Sequence, residues 1–189
     1  NNAIINGTTD WVYEEEFAIT KGFGWSPDNQ HIAFLKFDES KVKEFQLTYY
    51  GNLYPTLYKY KYPKAGEDNS KVSLHMYSLN SKKTEKVNLN DYEYIPRLNW
   101  SKIENKLVVQ TLNRLQNHVR YFLVEPGKTI KSKQFYEETS STYIDIDDNL
   151  TLLKDGKSLL RTSEKSGFNH IYRLYFDGTS EQITSGDWD

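Results

Sequence analysis

The chain has 189 residues, 37% hydrophobic and 15% aromatic, with 24 basic against 26 acidic side chains for a net charge of −2. Charges of both signs are interspersed, so no basic patch supports a nucleic-acid interface, and with no cysteine there are no disulfides or thiolate metal sites. No apolar run approaches the roughly 18 residues of a membrane span, no metal-ligand spacing occurs, and no signal peptide opens the chain. The ends, Asn1-Asn2-Ala3-Ile4 and Gly186-Asp187-Trp188-Asp189, read as cuts in a longer protein.

In chain order, the first feature is Asp10-Trp11-Val12-Tyr13-Glu14-Glu15-Glu16, three consecutive carboxylates beside aromatics. A solvated acidic turn is the plain reading. The functional reading needs a cation: adjacent glutamates on a strand point to opposite faces, so convergence on one ligand requires a helix or turn. Two carboxylates can accept the three N–H donors of an ammonium in charge-assisted bonds.

Trp25-Ser26-Pro27-Asp28-Asn29-Gln30 then His31–Phe37 reads as strand, tight turn, strand. The stretch 38–69 breaks the pattern. It is too long for a plain connection and too aromatic for disorder, with Tyr49, Tyr50, Tyr58 and Tyr60 as packing candidates. They pack either on another subunit or on their own sheet.

Val72–Leu79, a polar turn at 80–83 and Thr84–Val87 form a hairpin. Tyr94–Ser101 repeats the approach to Trp25-Ser26, and after a turn at 102–105 come strands at Lys106–Leu112 and His118–Val124. A third unit comprises Leu150–Leu153, a turn at 154–157, Ser158–Ser163, His170–Phe176, a turn at Asp177-Gly178, and Glu181–Thr184. Four short strands per unit, recurring at roughly 40–50 residues, is the pattern of propeller blades. A β-sandwich also uses many short strands, but the Trp-Ser-turn-strand recurrence favours a propeller. The fold expected is all-β, a partial propeller of about three to four blades of four-stranded antiparallel sheet, with a short helical insertion carrying the glutamates. The four histidines (His31, His75, His118, His170) lie in or beside strands and are read as structural.

The order of these motifs resembles the dipeptidyl peptidase IV family. The resemblance rests on DWVYEEE at 10–16, Trp25-Ser26-Pro27-Asp28, Phe37-Asp38-Glu39-Ser40, Tyr62-Pro63-Lys64-Ala65-Gly66 with Asn69-Ser70, Leu112–Asn117 and His170-Ile171-Tyr172, and it spans the chain. It implies a propeller that anchors substrate, with Glu15 and Glu16 holding the α-ammonium of peptides that carry a free N-terminus, and Glu14 structural or solvated. It further implies a parent serine peptidase that releases Xaa-Pro or Xaa-Ala dipeptides, without a cofactor. Its Ser-Asp-His triad would lie in an α/β-hydrolase domain outside this chain, which has no Gly-x-Ser-x-Gly elbow. The 38–69 stretch would be the family's arm, placing Tyr49, Tyr50, Tyr58 and Tyr60 at a homodimer contact. Residues 143–148 depart from the family's substrate-facing Phe and Arg stretch, so no role carries over there. The missing cysteines imply a bacterial homologue, periplasmic or extracellular. A non-enzymatic propeller scaffold is the competing reading.

Overall fold

The computed structural model of the chain describes residues 3–102, 104–146 and 148–189. Position 103, in the expected 102–105 turn, and position 147, in the divergent 143–148 stretch, lie outside the described residues, as do positions 1 and 2. Two compact units are present, one formed by residues 1–23 and 34–73, the other by 24–33 and 74–189.

The expected strands form, with antiparallel pairing in each sheet. Strand β1 (Ile4–Asn6) precedes helix α1 (Trp11–Glu16), and β2 (Phe23–Trp25) turns into β3 (His31–Asp38). In β3 the pleat buries Ala33, Leu35 and Phe37 while their neighbours stay half-wet. Burying side chains the size of Leu35 and Phe37 stabilises the fold by about 1.5–3 kcal/mol each. The aromatic stretch is a hairpin of its own, β4 (Glu44–Tyr49) and β5 (Thr56–Lys61). Next come β6 (Lys71–Ser78), burying Val72, Leu74 and Met76, and β7 (Lys83–Lys86), an exposed edge with three charged residues of four. The sheet order is β1-β3-β6-β7, with β2 on β3.

The second sheet runs β8 (Tyr94–Trp100), β9 (Leu107–Leu112), β10 (His118–Glu125), β11 (Lys131–Thr139) in simple meander order. Every residue of β9 is buried, which marks a central strand covered on both faces. The third sheet repeats the meander with β12 (Thr151–Leu152), β13 (Ser158–Ser163), β14 (His170–Tyr175) and β15 (Ser180–Gln182). Three sheets of four or five strands bear out the partial propeller, and each histidine lies in a strand.

The repeat is also visible in the backbone of the larger unit. The hairpin entering each central strand closes the same way: Ser26 N–H to His31 O at 2.9 Å, Ser101 N–H to Lys106 O at 2.8 Å, and Leu153 N–H to Ser158 O at 3.0 Å. Asn29 (φ 56°) and Gly156 (φ 64°) occupy equivalent left-handed turn positions. Successive turns then bond to one another. Asn105 Nδ2 donates to Asp28 Oδ2 at 2.5 Å, and Lys106 Nζ donates to the Gly156 carbonyl at 3.2 Å. The recurring Trp-Ser pair has a matching cause. Ser26 Oγ accepts the His31 N–H at 2.9 Å, Ser101 Oγ accepts that of Glu104 at 3.3 Å, and Trp100 Nε1 donates to Gly24 O at 3.2 Å.

Candidate functional site

The glutamates ride on α1, a helix of one and a half turns that would not persist alone in water. Asp10 starts it. Its backbone is extended (φ −83°, ψ 176°), and Oδ1 accepts the Tyr13 N–H at 3.0 Å, satisfying one of the open donors of the first turn. Its other oxygen, Oδ2, accepts the hydroxyl of Ser70 at the mouth of β6. Both residues are buried, Asp10 to 6% exposure. Burial raises the Asp10 carboxyl above its ordinary value, against the lowering effect of the Ser70 and Tyr13 hydrogen bonds.

The buried face of α1 is Val12 and Tyr13, followed by Phe17 just past its end. The Tyr13 ring meets Phe37 of β3 edge-on at 4.7 Å and Phe17 at 5.2 Å between centroids. Trp11 meets Tyr62 at 4.3 Å, again edge-on. Ala18 then adopts φ 54°, uncommon for a residue with a Cβ, and turns the chain so that Ile19 N–H reaches the Tyr13 carbonyl at 3.1 Å. Backbone strain of this kind persists where surrounding structure fixes it, often beside functional groups.

Glu14, Glu15 and Glu16 are all exposed. The helix expected for the glutamate motif is therefore present, and it presents its acids outward while the cap and three aromatics hold it from below. Glu39, which follows β3, is a further acid in the same unit. Burial raises its carboxyl first, with the Asp10 charge adding to the effect and Lys61 opposing it. Neither the Asp10–Ser70 bond nor Glu39 could be picked out from the sequence, because each depends on residues brought together from distant segments.

Two motifs separated by about fifty residues in the sequence meet here: Trp11 of DWVYEEE and Tyr62 of the YPKAG segment. Tyr62 continues the hairpin pairing, its N–H donating to Lys43 O at 3.1 Å. In the hairpin, Phe45 faces Tyr60, Leu47 faces Tyr58 and Tyr49 faces Thr56. Tyr49 and Tyr58 contact at 6.2 Å, Tyr58 and Tyr60 at 5.6 Å, and Tyr60 and Tyr62 at 6.0 Å. Tyr49, Tyr50 and Tyr58 are exposed, whereas Tyr60 is half-buried.

The larger unit holds a second polar feature, a cavity of about 530 Å³ whose lining includes Glu138, Tyr143, Asp145, Asn149, Arg161 and Lys165. Its lining contains a buried ion pair, Arg161 Nη1 to Glu138 Oε2 at 3.3 Å, with Ser163 Oγ donating to Glu138 Oε1 at 2.7 Å. Lys165 Nζ donates to Tyr136 Oη at 2.8 Å and sits 4.1 Å from the Tyr172 ring centre. Burial lowers the Lys165 ammonium pKa, and burial with the Glu138 charge pushes the Tyr136 phenol up to about 12. This cluster has no local signature in the sequence, since its members come from β11, β13, β14 and their connections. Among the described residues no group of His, Asp or Glu side chains is placed to hold a metal ion, and no helix is long and apolar enough to cross a membrane.

The family described as the dipeptidyl peptidase IV (DPP IV) N-terminal region matches residues 1–189. A crystal structure of Porphyromonas gingivalis dipeptidyl peptidase 4 superposes with a TM-score of 0.91 at 43% identity, covering 100% of this chain and 27% of that one. A rat protein named inactive dipeptidyl peptidase 10 is 32% identical over 98% of this chain and 26% of its own length. A Saccharomyces cerevisiae protein named dipeptidyl aminopeptidase B is 28% identical over 98% of this chain and 25% of its own. The chain thus spans about a quarter of the length of these relatives.

Proposed function

The chain belongs to the dipeptidyl peptidase IV family, as part of its N-terminal region, and on that footing we propose that α1 is the substrate anchor of a serine-type dipeptidyl aminopeptidase. Glu15 and Glu16 receive the α-ammonium of a peptide with a free N-terminus. The observation carrying this reading is a pair of exposed carboxylates on a short helix whose cap and buried face are fixed from below. Prior fixation matters because an anchor at a set distance from a nucleophile works as a ruler: it admits two residues before the scissile bond and refuses internal sites. The nucleophile belongs to an α/β-hydrolase domain outside this chain, and the products are Xaa-Pro or Xaa-Ala dipeptides. The β4–β5 hairpin, through Tyr49, Tyr50, Tyr58 and Tyr60, is the arm of a homodimer, and the protein works in the periplasm or outside the cell.

The test uses the full-length protein and a chromogenic Gly-Pro substrate. Glu15→Ala/Glu16→Ala should lower kcat/KM about a hundredfold or more, since each charge-assisted bond contributes roughly 1.5–3 kcal/mol. An N-acetylated substrate should be refused by the parent. An unaffected double variant would remove the assignment.

A second reading, a propeller scaffold without peptidase activity, draws support from the 32% identity to a relative named as inactive. An inert full-length parent would favour it.

A further inference from the structure

We propose that Tyr62 is a positioning residue for this anchor, acting on Glu15 through Trp11; the inference rests on the ammonium-binding reading above. Helix α1 has six residues, too few to hold a direction by its own hydrogen bonds, so its orientation comes from what it touches. Two contacts lie at its base: the Asp10–Ser70 hydrogen bond at the N-terminus, and Tyr13 against Phe37. Buried Val12 and the Ile19 N–H bond to the Tyr13 carbonyl add to these. The Trp11–Tyr62 contact, 4.3 Å and edge-on, is made by the residue one turn before Glu15.

Helical periodicity makes this contact relevant to the acids. Residues four apart share a helix face, so Glu15 lies one turn beyond Trp11 on the same side. A displacement of the Trp11 ring is thereby a displacement of the face that carries Glu15.

Tyr62 is itself well held. Pro63 restricts it to extended backbone, and its N–H is bonded to Lys43 at the hairpin base. Its ring lies 5.4 Å from Phe45 and 6.0 Å from Tyr60, while Lys64 Nζ stands 5.2 Å from the Phe45 ring centre. The ring that braces the anchor is thus the last in the row that runs along the arm.

The experiment is a double-mutant cycle in the full-length protein, with initial rates on the Gly-Pro substrate. Tyr62→Leu should raise KM about three- to tenfold, the range expected for one edge-to-face ring pair, with kcat nearly held. Tyr62→Phe, which keeps the ring, should bring KM back toward the parent value. In a Glu15→Gln background, Tyr62→Leu should add no further rise, because the group it positions has already lost its charge. Should Tyr62→Leu fail to fold, Trp11→Phe, with a smaller ring, should raise KM in the same direction and be equally silent in that background. Additive effects, or a fall in kcat with KM held, would overturn the positioning role while leaving intact a clamp that Glu15→Gln alone weakens. Glu15→Gln without effect on KM would remove the clamp and this inference with it.

Discussion

Asp10 and Ser70 stand 60 residues apart in sequence, yet the Ser70 hydroxyl donates to the Asp10 carboxylate in the buried base of α1. The other Asp10 oxygen caps the helix at Tyr13, so one side chain joins helix start to strand start. Ser70→Ala leaves a buried carboxylate oxygen without this donor, a loss of about 1–3 kcal/mol. The expected result is local: hydrogen exchange at the Tyr13 amide should speed up about tenfold, with amides of β9 unchanged. Equal acceleration in β9 would show that the bond supports the whole fold rather than the helix.

Glu39 gives a pH-dependent prediction with a defined sign. Burial, then the Asp10 charge, raises its carboxyl above the ordinary 4.5, with Lys61 opposing; Asp10 is also raised, by burial. A carboxylate whose folded pKa exceeds its unfolded one binds more protons in the folded state. The stability from that proton is therefore full below about pH 4 and is lost as pH climbs through the raised value. Glu39→Gln fixes the neutral form. Its Tm should exceed the parent's at pH 7, and the difference should shrink toward zero at pH 4. A gap that widens on acidification would reverse the assignment.

The blade strands were legible in the sequence because their pleats bury alternate residues: Ala33, Leu35 and Phe37 in β3, and Val72, Leu74 and Met76 in β6. Strand β11 was not. Lys131–Thr139 opens on alternating charged and polar residues and has Phe135 as its one buried hydrophobic side chain, and a register shift at Tyr121/Phe122 interrupts its pairing. An outer strand packed on little gives composition no hold. The glutamate helix was legible through its motif, but its supports were not: Ser70, Tyr62 and Phe37 reach it from three distant segments, and no local pattern encodes such meetings. The 38–69 stretch stood out by its aromatics, whereas the pairing of its hairpin, Phe45 with Tyr60 and Leu47 with Tyr58, is a property of the folded register.

The arm makes a prediction of its own under the proposed homodimer. Tyr49 and Tyr58 face the same side of the hairpin and are more than half exposed. Aromatic rings at the centre of an interface carry much of its affinity. Tyr49→Ser/Tyr58→Ser in the full-length protein should shift sedimentation from dimer to monomer at micromolar concentration, with little change in Tm. A parent that sediments as a monomer would place these rings in some other role.

The buried pair in the larger unit allows the sharpest stability test. Arg161 and Glu138 side chains are 5% and 8% exposed, and Ser163 donates to the same carboxylate. Arg161→Met leaves Glu138 buried with its nearest counter-charge gone, a change that costs about 3–5 kcal/mol. For a domain of this size that corresponds to a fall in Tm of about 10 °C. Arg161→Met/Glu138→Leu removes the stranded charge as well, so much of the loss should return, because a buried pair contributes little beyond what matched apolar groups would. The comparison separates two roles. If the double variant is restored in Tm, the pair is a structural element of the blade contact. If it remains as unstable as Arg161→Met, the hydrogen bonds from Ser163 and Tyr136 to Glu138 carry the stability, and the cluster acts as a unit rather than as a pair.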